Sequence, residues 1–180
     1  MTELVTRNDI DGIAIISLNR PDALNALSPS LFAALHDQIK VLADQTDKIG
    51  CVILRGEGRS FSAGNDLKYQ AAGNDTTIPV SGFGGITARR MTKPVIAAVN
   101  GMALGGGFEI ALACDIIIAS DTASFGLPEP RVGLAATAGG LIRLSQVLPR
   151  NVANDLAFTT RRMLADEALH HGLASKVVPL

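Results

Sequence analysis

The stretch Asn100-Gly101-Met102-Ala103-Leu104-Gly105-Gly106-Gly107-Phe108-Glu109 places three consecutive glycines between two apolar segments. The segment before it, 93–99, has the composition of a buried strand, and the segment after it, 110–115, has that of an apolar helix. Glycine at such a junction lets the backbone turn sharply and lets a ligand approach the main chain closely. The first turn of a helix has free N–H groups, which stabilise an oxygen that becomes negative during a reaction. Glu109 lies within that first turn, close enough to act on the same ligand.

This glycine turn suits a carbonyl compound better than a nucleotide. A P-loop requires Gly-Lys-Ser/Thr at the helix start, and a dinucleotide fingerprint requires G-x-G-x-x-G beside the first strand; neither pattern is present. A second turn of small residues, 60–67, also follows a predicted strand. Two such turns can direct two N–H groups at one carbonyl oxygen, and each donor in such an oxyanion hole typically lowers the barrier by ~3–4 kcal/mol. Tight strand–helix packing without a ligand is the alternative explanation.

A second glutamate can supply acid–base chemistry beside the turn. Glu129 lies in Gly126-Leu127-Pro128-Glu129-Pro130, where the flanking prolines restrict the backbone. Alone, this segment predicts a solvated surface bend, but paired carboxylates in an apolar site can divide the roles of general base and general acid. Glycosidases also use two carboxylates, but aromatic residues, which would stack on sugars, make up only 4% of the chain. The side chain of Asp66 is expected to cap a helix.

Composition predicts one ordinary globular domain over residues 1–180. The chain is 47% apolar and 18% charged, with a net charge of −1. This balance and the absence of Trp give no reason to expect nucleic acid or an anionic membrane as a partner. The N-terminal segment has acids and no apolar core, unlike a signal peptide. The longest uncharged stretch, 94–108, is shorter than the ~20 residues of a membrane span.

Cysteine and histidine positions do not predict a metal centre or a nucleophile. Cys51 and Cys114 lie in separate apolar runs without a CxxC motif, which predicts two buried, reduced thiols and a cytoplasmic location. His36, His170 and His171 have polar neighbours and are expected at the surface. Metal-ligand spacing and a Gly-x-Ser-x-Gly elbow are both missing from the sequence, which disfavours metal catalysis and serine-triad hydrolysis.

Apolar strands alternate with helices along the chain, which predicts an α/β fold with a mostly buried sheet. Strands are predicted at 13–18, 51–55, 95–99, 116–120, 123–127 and 176–178. Helices are predicted at 28–44, 86–91, 107–114, 138–148, 151–159 and 165–171. Segment 71–85 has four glycines and no clear period, so it is predicted to be a mobile loop, either a lid over the site or an ordinary surface loop.

Together these motifs resemble the crotonase superfamily, the enoyl-CoA hydratase/isomerase family. The resemblance covers nearly the whole chain and rests on segments in the family's order: Leu18 to Leu27, Phe61 to Leu67, Lys93 to Gly101, Ala103 to Glu109, Phe125 to Glu129, Gly139-Gly140, Ala165 to Ala168 and Gly172-Leu173. It implies a crotonase-like spiral of ββα units and a coenzyme A thioester substrate, with no metal or redox cofactor. Family members usually continue for several more helices, so the resemblance implies that the C-terminal helical part is missing from this chain, which ends at Leu180.

The resemblance also implies which residues form the site. The backbone N–H groups of Asn65 and Gly106 would form the oxyanion hole, and Glu109 and Glu129 would be catalytic. Further substrate contacts are implied for Ala23, Leu24, Ala63, Asp66, Leu67, Gly105, Pro128 and Thr137. Thr137 stands where a glycine commonly helps to position the water.

The implied activity is that of a hydratase or dehydratase, a hydro-lyase, because family members with both glutamates typically have it. Glu129 would act on the proton at the α-carbon, and Glu109 would activate the water. Segments 82–87, 139–144 and 160–163, together with Asn154, are similar to those of carnitinyl-CoA dehydratases, which implies a crotonobetainyl-type substrate. Enoyl-CoA isomerisation and non-catalytic acyl-CoA binding are the alternatives. The resemblance further implies a homo-trimer or hexamer.

Overall fold

The computed structural model describes residues 3–44, 48–66, 69, 71–73, 82–88 and 91–180. The strands are β1 (Val5–Ile10), β2 (Ile13–Leu18), β3 (Cys51–Gly56), β4 (Ser60–Ser62), β5 (Val95–Val99), β6 (Met102–Leu104), β7 (Ile116–Ser120), β8 (Ser124–Gly126), β9 (Met163–Leu164) and β10 (Lys176–Val178). The α-helices are α1 (Pro29–Asp44), α2 (Gly106–Leu112), α3 (Gly140–Val147), α4 (Arg150–Thr159) and α5 (Ala165–His170). Short 3₁₀ helices cover Pro21–Ala23, Phe83–Gly85 and Glu129–Val132.

Two sheets organise these elements. The larger has the order β1-β2-β3-β5-β7-β10 and is parallel except for β1, which pairs antiparallel with β2. The smaller has the order β4-β6-β8-β9, with only β9 antiparallel. The pairs β3–β4, β5–β6 and β7–β8 each place their first strand in the large sheet and their second in the small one. This repeated step between sheets confirms the predicted spiral of ββα units.

Helix α1 shows how the sequence pattern builds the core. Leu31, Leu35, Ile39 and Leu42 repeat at helical spacing, and all four are fully buried. Phe32, from the same helix, packs on Phe83 with the ring centroids 5.0 Å apart. Burial of each such side chain typically contributes about 1.5–3 kcal/mol. Helix α1 therefore fixes the Phe83–Gly85 segment against the body of the domain.

Most predicted elements are confirmed with small changes at their ends, but the helix predicted at 86–91 is wrong in the described part. Residues 86–88 form a turn, and Met91 is not helical. The Thr87 hydroxyl accepts the N–H of Phe83 at 2.7 Å, a side-chain bond that competes with helix formation. The mobile loop predicted at 71–85 is also wrong at Phe83–Gly85, which are buried in a 3₁₀ turn, while its residues 74–81 lie outside the described residues. None of the helices in the described ranges has the length and apolar character needed to cross a membrane.

Candidate active site

The glycine turn joins β6 to α2 through an unusual backbone conformation. Gly105 has φ +53° and ψ −128°, which an L-residue adopts only with strain, and its N–H donates to the Gly126 carbonyl at 2.9 Å. A β-carbon on Gly105 would lie 3.1 Å from Oε1 of Glu129. Glycine here lets the turn close against β8 and leaves room for the Glu129 carboxylate.

The second turn, after β4, lies directly against the first. Gly64 has φ +88°, and a β-carbon there would lie 2.6 Å from the Leu104 carbonyl oxygen and 3.2 Å from the Gly106 nitrogen. The N–H of Leu27 donates to the Gly64 carbonyl at 2.8 Å, and the Leu27 carbonyl accepts the N–H of Asp66 at 3.1 Å. In a parallel pairing of this kind, the intervening residue, Asn65, directs its own N–H away from Leu27. Gly106 is the first residue of α2, so its N–H has no intrahelical acceptor.

Glu129 begins the 3₁₀ helix Glu129–Val132 and is half-buried. Its Oε2 atom is buried without a hydrogen-bond partner among the described residues, as is Oδ1 of Asn65. Burial raises the pKa of Glu129 above its ordinary value, against a lowering contribution from its own backbone N–H. The solvated bend that Pro-Glu-Pro predicts in isolation is therefore wrong for Glu129 itself, although Pro130 is exposed.

Glu109 lies one turn into α2 and is only 2% exposed. Its Oε1 accepts the N–H of Gly140, the first residue of α3, at 2.9 Å. Burial, the largest cause, raises the pKa of Glu109 to about 7; the charge of Glu129 raises it further, while the backbone N–H of Gly140 and the charge of Arg143 oppose the rise. A carboxylate with this pKa can both take up and release a proton near neutral pH.

A cavity of about 220 Å³ joins the two turns to Glu129. Its lining residues are Ala63, Gly64, Asn65, Gly105, Gly106, Pro128, Glu129, Arg131, Val132 and Leu134. Six of the residues implied by the resemblance therefore share one cavity: Ala63, Asn65, Gly105, Gly106, Pro128 and Glu129. Glu109 is not among these lining residues; it lies three residues after Gly106 on the same helix, where its Oε1 accepts the N–H of Gly140.

Leu24 and Asp66, two further implied contact residues, are bonded to the segments around this cavity. Leu24 accepts the N–H of Ala63 at 2.9 Å, so the loop containing Ala23 and Leu24 is tied to the second turn. Asp66 pairs with Arg20 at 2.8 Å, and its Oδ1 accepts the N–H of Tyr69 at 3.4 Å, as a helix cap does. Leu67 lies outside the described residues.

Thr137 lies apart from these residues, on a larger cavity of about 490 Å³. That cavity is lined by Gly82, Phe83, Thr87, Ala88, Thr137, Ala138, Gly139, Ile142, Arg143 and Gln146. The N–H of Thr137 donates to the Ala135 carbonyl at 2.9 Å. This main-chain donor is therefore already engaged within its own turn and does not point freely at a bound water.

Asn25 is a structural residue of the site that sequence reasoning missed. It is fully buried; its Oδ1 accepts the N–H of Arg20, and its Nδ2 donates to the carbonyls of Glu57 and Ser60, at 2.8, 3.0 and 2.8 Å. Its own carbonyl accepts the Ser62 hydroxyl at 2.9 Å. Asn25 thus joins the 20–27 loop to β4, which leads into the second turn. Its sequence signal was its place in the Leu18 to Leu27 segment, one of those that resemble the family.

The cysteines and histidines take no part in the site. Cys51 and Cys114 are half-buried rather than fully buried, and neither is in a disulfide. Burial raises the pKa of the Cys114 thiol to about 12, so it stays protonated. His170 is exposed, whereas His36 and His171 are half-buried. Among the residues described by the structure, no group of three His, Cys, Asp or Glu side chains is arranged to hold a metal ion.

Comparison with known proteins places this geometry in a family. The family model described as Enoyl-CoA hydratase/isomerase matches residues 8–180. The chain is 41% identical over 182 residues to a mevalonyl-coenzyme A hydratase from Beauveria bassiana. It is 43% identical over 177 residues to a carnitinyl-CoA dehydratase from Salmonella arizonae. These alignments cover 93% and 97% of this chain but 64% and 67% of the relatives, so the chain spans about two thirds of their length.

Solved structures agree. An enoyl-CoA hydratase from Mycobacterium tuberculosis superposes with a TM-score of 0.94 at 40% identity, and a carnitinyl-CoA hydratase from Mycobacterium avium with a TM-score of 0.94 at 41% identity. Each superposition covers 99% of this chain and 70% of the other. The fold, the family match and these identities lead to one conclusion: the chain belongs to the enoyl-CoA hydratase/isomerase family.

Proposed function

We propose that this chain catalyses the reversible addition of water across the α,β double bond of an acyl-CoA thioester, as a hydro-lyase. The observation that carries the proposal is the placement of two carboxylates of raised pKa, Glu109 and Glu129, around a turn with two main-chain N–H donors. The relatives support the same reaction class, because their names are those of hydratases and dehydratases of CoA thioesters.

The thioester carbonyl would lie in the 220 Å³ cavity, with its oxygen between the N–H groups of Asn65 and Gly106. Attack of water at the β-carbon moves negative charge onto this oxygen, forming an enolate. Two fixed N–H groups stabilise that charge more in the transition state than in the ground state, and loss of one such donor typically costs about 10²–10³-fold in rate. The close contact of the Gly64 turn with Gly106 supports this arrangement.

The two glutamates would handle the protons. Glu109 accepts a proton from the attacking water, whose oxygen bonds to the β-carbon, and Glu129 delivers a proton to the α-carbon, so that one water is added in all. The unpartnered Oε2 of Glu129 supports this role, because a buried carboxylate oxygen without a donor is able to bind a proton or a water. Main-chain donors and carboxylates supply every proton and charge interaction in these steps, so the mechanism calls for no metal or redox cofactor.

The CoA portion would leave the cavity past Ala63 and the loop of Ala23 and Leu24. The bond from Ala63 to Leu24 supports this path, because it makes one continuous rim from the two segments. Asp66 would border the same rim, with its ion pair to Arg20 fixing the loop. Leu67 and Thr137 are proposed as further contacts on family resemblance alone.

The finer features of the proposal concern the acyl group and the assembly. A crotonobetainyl-type acyl group is supported by the carnitinyl-CoA dehydratase and hydratase names among the relatives. A homo-trimer or hexamer is supported by exposed apolar side chains on neighbouring helices, including Ile142 at 66% and Phe158 at 78% exposure. A cytoplasmic location is supported by the two cysteines, which are not in disulfides.

The first test is the ultraviolet absorbance of the conjugated enoyl thioester, measured with crotonyl-CoA and with crotonobetainyl-CoA. Hydration consumes this absorbance in the wild-type protein, and Glu129→Gln should remove the change while the thioester still binds. An isomerase would instead create the absorbance from a 3-enoyl-CoA. A protein that only binds the thioester would leave the absorbance of every substrate unchanged. Absence of hydration with both substrates, together with intact binding, would overturn the proposal.

A further inference from the structure

Arg143 on α3 bridges two segments that are far apart in sequence. Its Nη2 donates to the Thr87 carbonyl at 2.6 Å, and its Nη1 donates to the Ala138 carbonyl at 3.3 Å. The side chain is half-buried in the wall of the 490 Å³ cavity. Its guanidinium therefore links the 82–88 segment, which packs on α1, to the 137–140 turn.

That turn is the one that holds Glu109. Gly140 donates its N–H to Oε1 of Glu109 at 2.9 Å, and the main-chain N–H of Arg143 donates to Gly139 at 2.9 Å. A β-carbon on Gly139, which has φ +105°, would lie 1.9 Å from Nη1 of Arg143. The guanidinium thus contacts the 137–140 turn, and the Gly140 N–H of this turn orients the Glu109 carboxylate.

We propose that Arg143 is a positioning residue for Glu109: it fixes the 137–140 turn so that the Gly140 N–H holds the carboxylate in place for the hydration step. The proposal rests on the proposed function only for its effect on rate. The position of the turn and the charge near Glu109 are properties of the folded chain, and they can be measured without turnover.

Electrostatics add a second effect in the same direction. The charged groups that act on Glu109 are Glu129, which raises its pKa, and Arg143, which lowers it. Loss of the Arg143 charge therefore raises the pKa of Glu109 further, so a larger fraction of this base is protonated at neutral pH.

Three variants separate the contributions of charge and geometry. Arg143→Gln removes both the charge and the bridge between the two carbonyls. Arg143→Lys keeps the charge but lacks the planar guanidinium that bonds two carbonyls. Arg150→Gln, the matched control, removes the charge of an exposed arginine on the next helix. Each protein is titrated by ¹³C NMR of its glutamate carboxyls, with Glu109 assigned by its disappearance in Glu109→Gln. The pH dependence of kcat for crotonyl-CoA is measured beside the titration.

In Arg143→Gln we expect the Glu109 midpoint and the acidic limb of kcat to move to higher pH. We expect kcat to fall by about 10²-fold, with a smaller change in KM, because misplacement of a catalytic group by about 1 Å has that effect. Arg143→Lys should keep the midpoint but lose kcat, and Arg150→Gln should match the wild type. A Glu109 midpoint in Arg143→Gln equal to that in Arg150→Gln, or full kcat in Arg143→Lys, would overturn the inference. If the wild type shows no hydration, the proposed function fails, and the NMR midpoints alone decide the inference. If Arg143→Gln does not fold, the kcat of Arg143→Lys decides it.

Discussion

Glu109→Gln should make the protein inactive and, at alkaline pH, more stable. Glu109 is buried with its carboxylate in a poorly solvated position, and its Oε1 accepts the Gly140 N–H. Glutamine has nearly the same shape, and its amide oxygen can accept the same hydrogen bond. The substitution therefore removes the charge with little change in packing.

The expected gain follows from the pKa of Glu109. The fold raises this pKa from 4.5 to about 7, chiefly through burial. Between these two values the unfolded chain releases the proton while the folded chain keeps it, so the free energy of unfolding falls as pH rises; above about pH 7 the loss is constant. This difference in pKa between the folded and unfolded chain corresponds to about 3 kcal/mol of unfolding free energy. Glu109→Gln has no carboxyl group at this position, so it does not lose this stability as pH rises. Its free energy of unfolding should exceed that of the wild type by up to about 3 kcal/mol at pH 8 and by little at pH 4.5.

Urea unfolding followed by far-ultraviolet circular dichroism measures this difference, since the chain has no Trp for fluorescence. Wild type, Glu109→Gln and the control Glu57→Gln are compared at pH 5 and pH 8. Glu57 is a partly exposed carboxylate paired with Arg55 at the surface, so its variant should differ from wild type by less than about 1 kcal/mol. The reasoning is refuted if Glu109→Gln shows the same difference at both pH values, or is the less stable protein at pH 8.

Three further predictions concern the site and its supports. Glu129→Gln should lower kcat for hydration by about 10³-fold or more while the Kd for the thioester, measured by calorimetry, changes less than about threefold; equal losses in both would mean that Glu129 acts in binding. Gly64→Ala places a β-carbon 2.6 Å from the Leu104 carbonyl oxygen, so it should lower the free energy of unfolding in urea by about 2 kcal/mol. It should also lower kcat more than it raises KM. Unchanged stability would contradict the close contact of the two turns. Asn25→Ala leaves one buried and two partly buried main-chain groups without their partner, and it should cost about 2–4 kcal/mol in the same assay. A loss below about 1 kcal/mol would mean that the network is dispensable.

The elements that could be predicted from the sequence are those whose signal is local. The apolar spacing of Leu31, Leu35 and Ile39 specifies α1 whatever lies around it, and the flanking segments of the glycine turn predict β5 and α2 in the same way. The pairing of Glu109 with Glu129 was a hypothesis from their residue types that family resemblance supported, because 20 positions of chain separate them and no local pattern joins them.

The elements that escaped prediction depend on contacts between distant segments. Strands β4 and β6 have three residues each, too few for a period, and exist because they pair with each other in the small sheet. Strand β1 is mostly polar and half of its residues are exposed, so it lacks the continuous apolar run of its neighbours. The helix expected at 86–91 had suitable composition, but contacts of Thr87 with Phe83 and with Arg143 hold a turn there instead.

The same reason explains the missed supporting residues. Asn25 reaches acceptors 32 and 35 positions away, and Arg143 reaches a carbonyl 56 positions away. A single polar side chain carries no pattern that reports such partners in advance. Both become recognisable only once the two turns and α3 are in place.

In the proposed reaction, Glu129 and Glu109 add water across the double bond of a CoA thioester. The most direct measurement is mass spectrometry of crotonyl-CoA incubated with the protein in D₂O. We expect the wild type to form 3-hydroxybutyryl-CoA with one carbon-bound deuterium at the α-position, and neither Glu109→Gln nor Glu129→Gln to form it. Recovery of unchanged crotonyl-CoA from the wild type, or equal deuterated product from either variant, would contradict it.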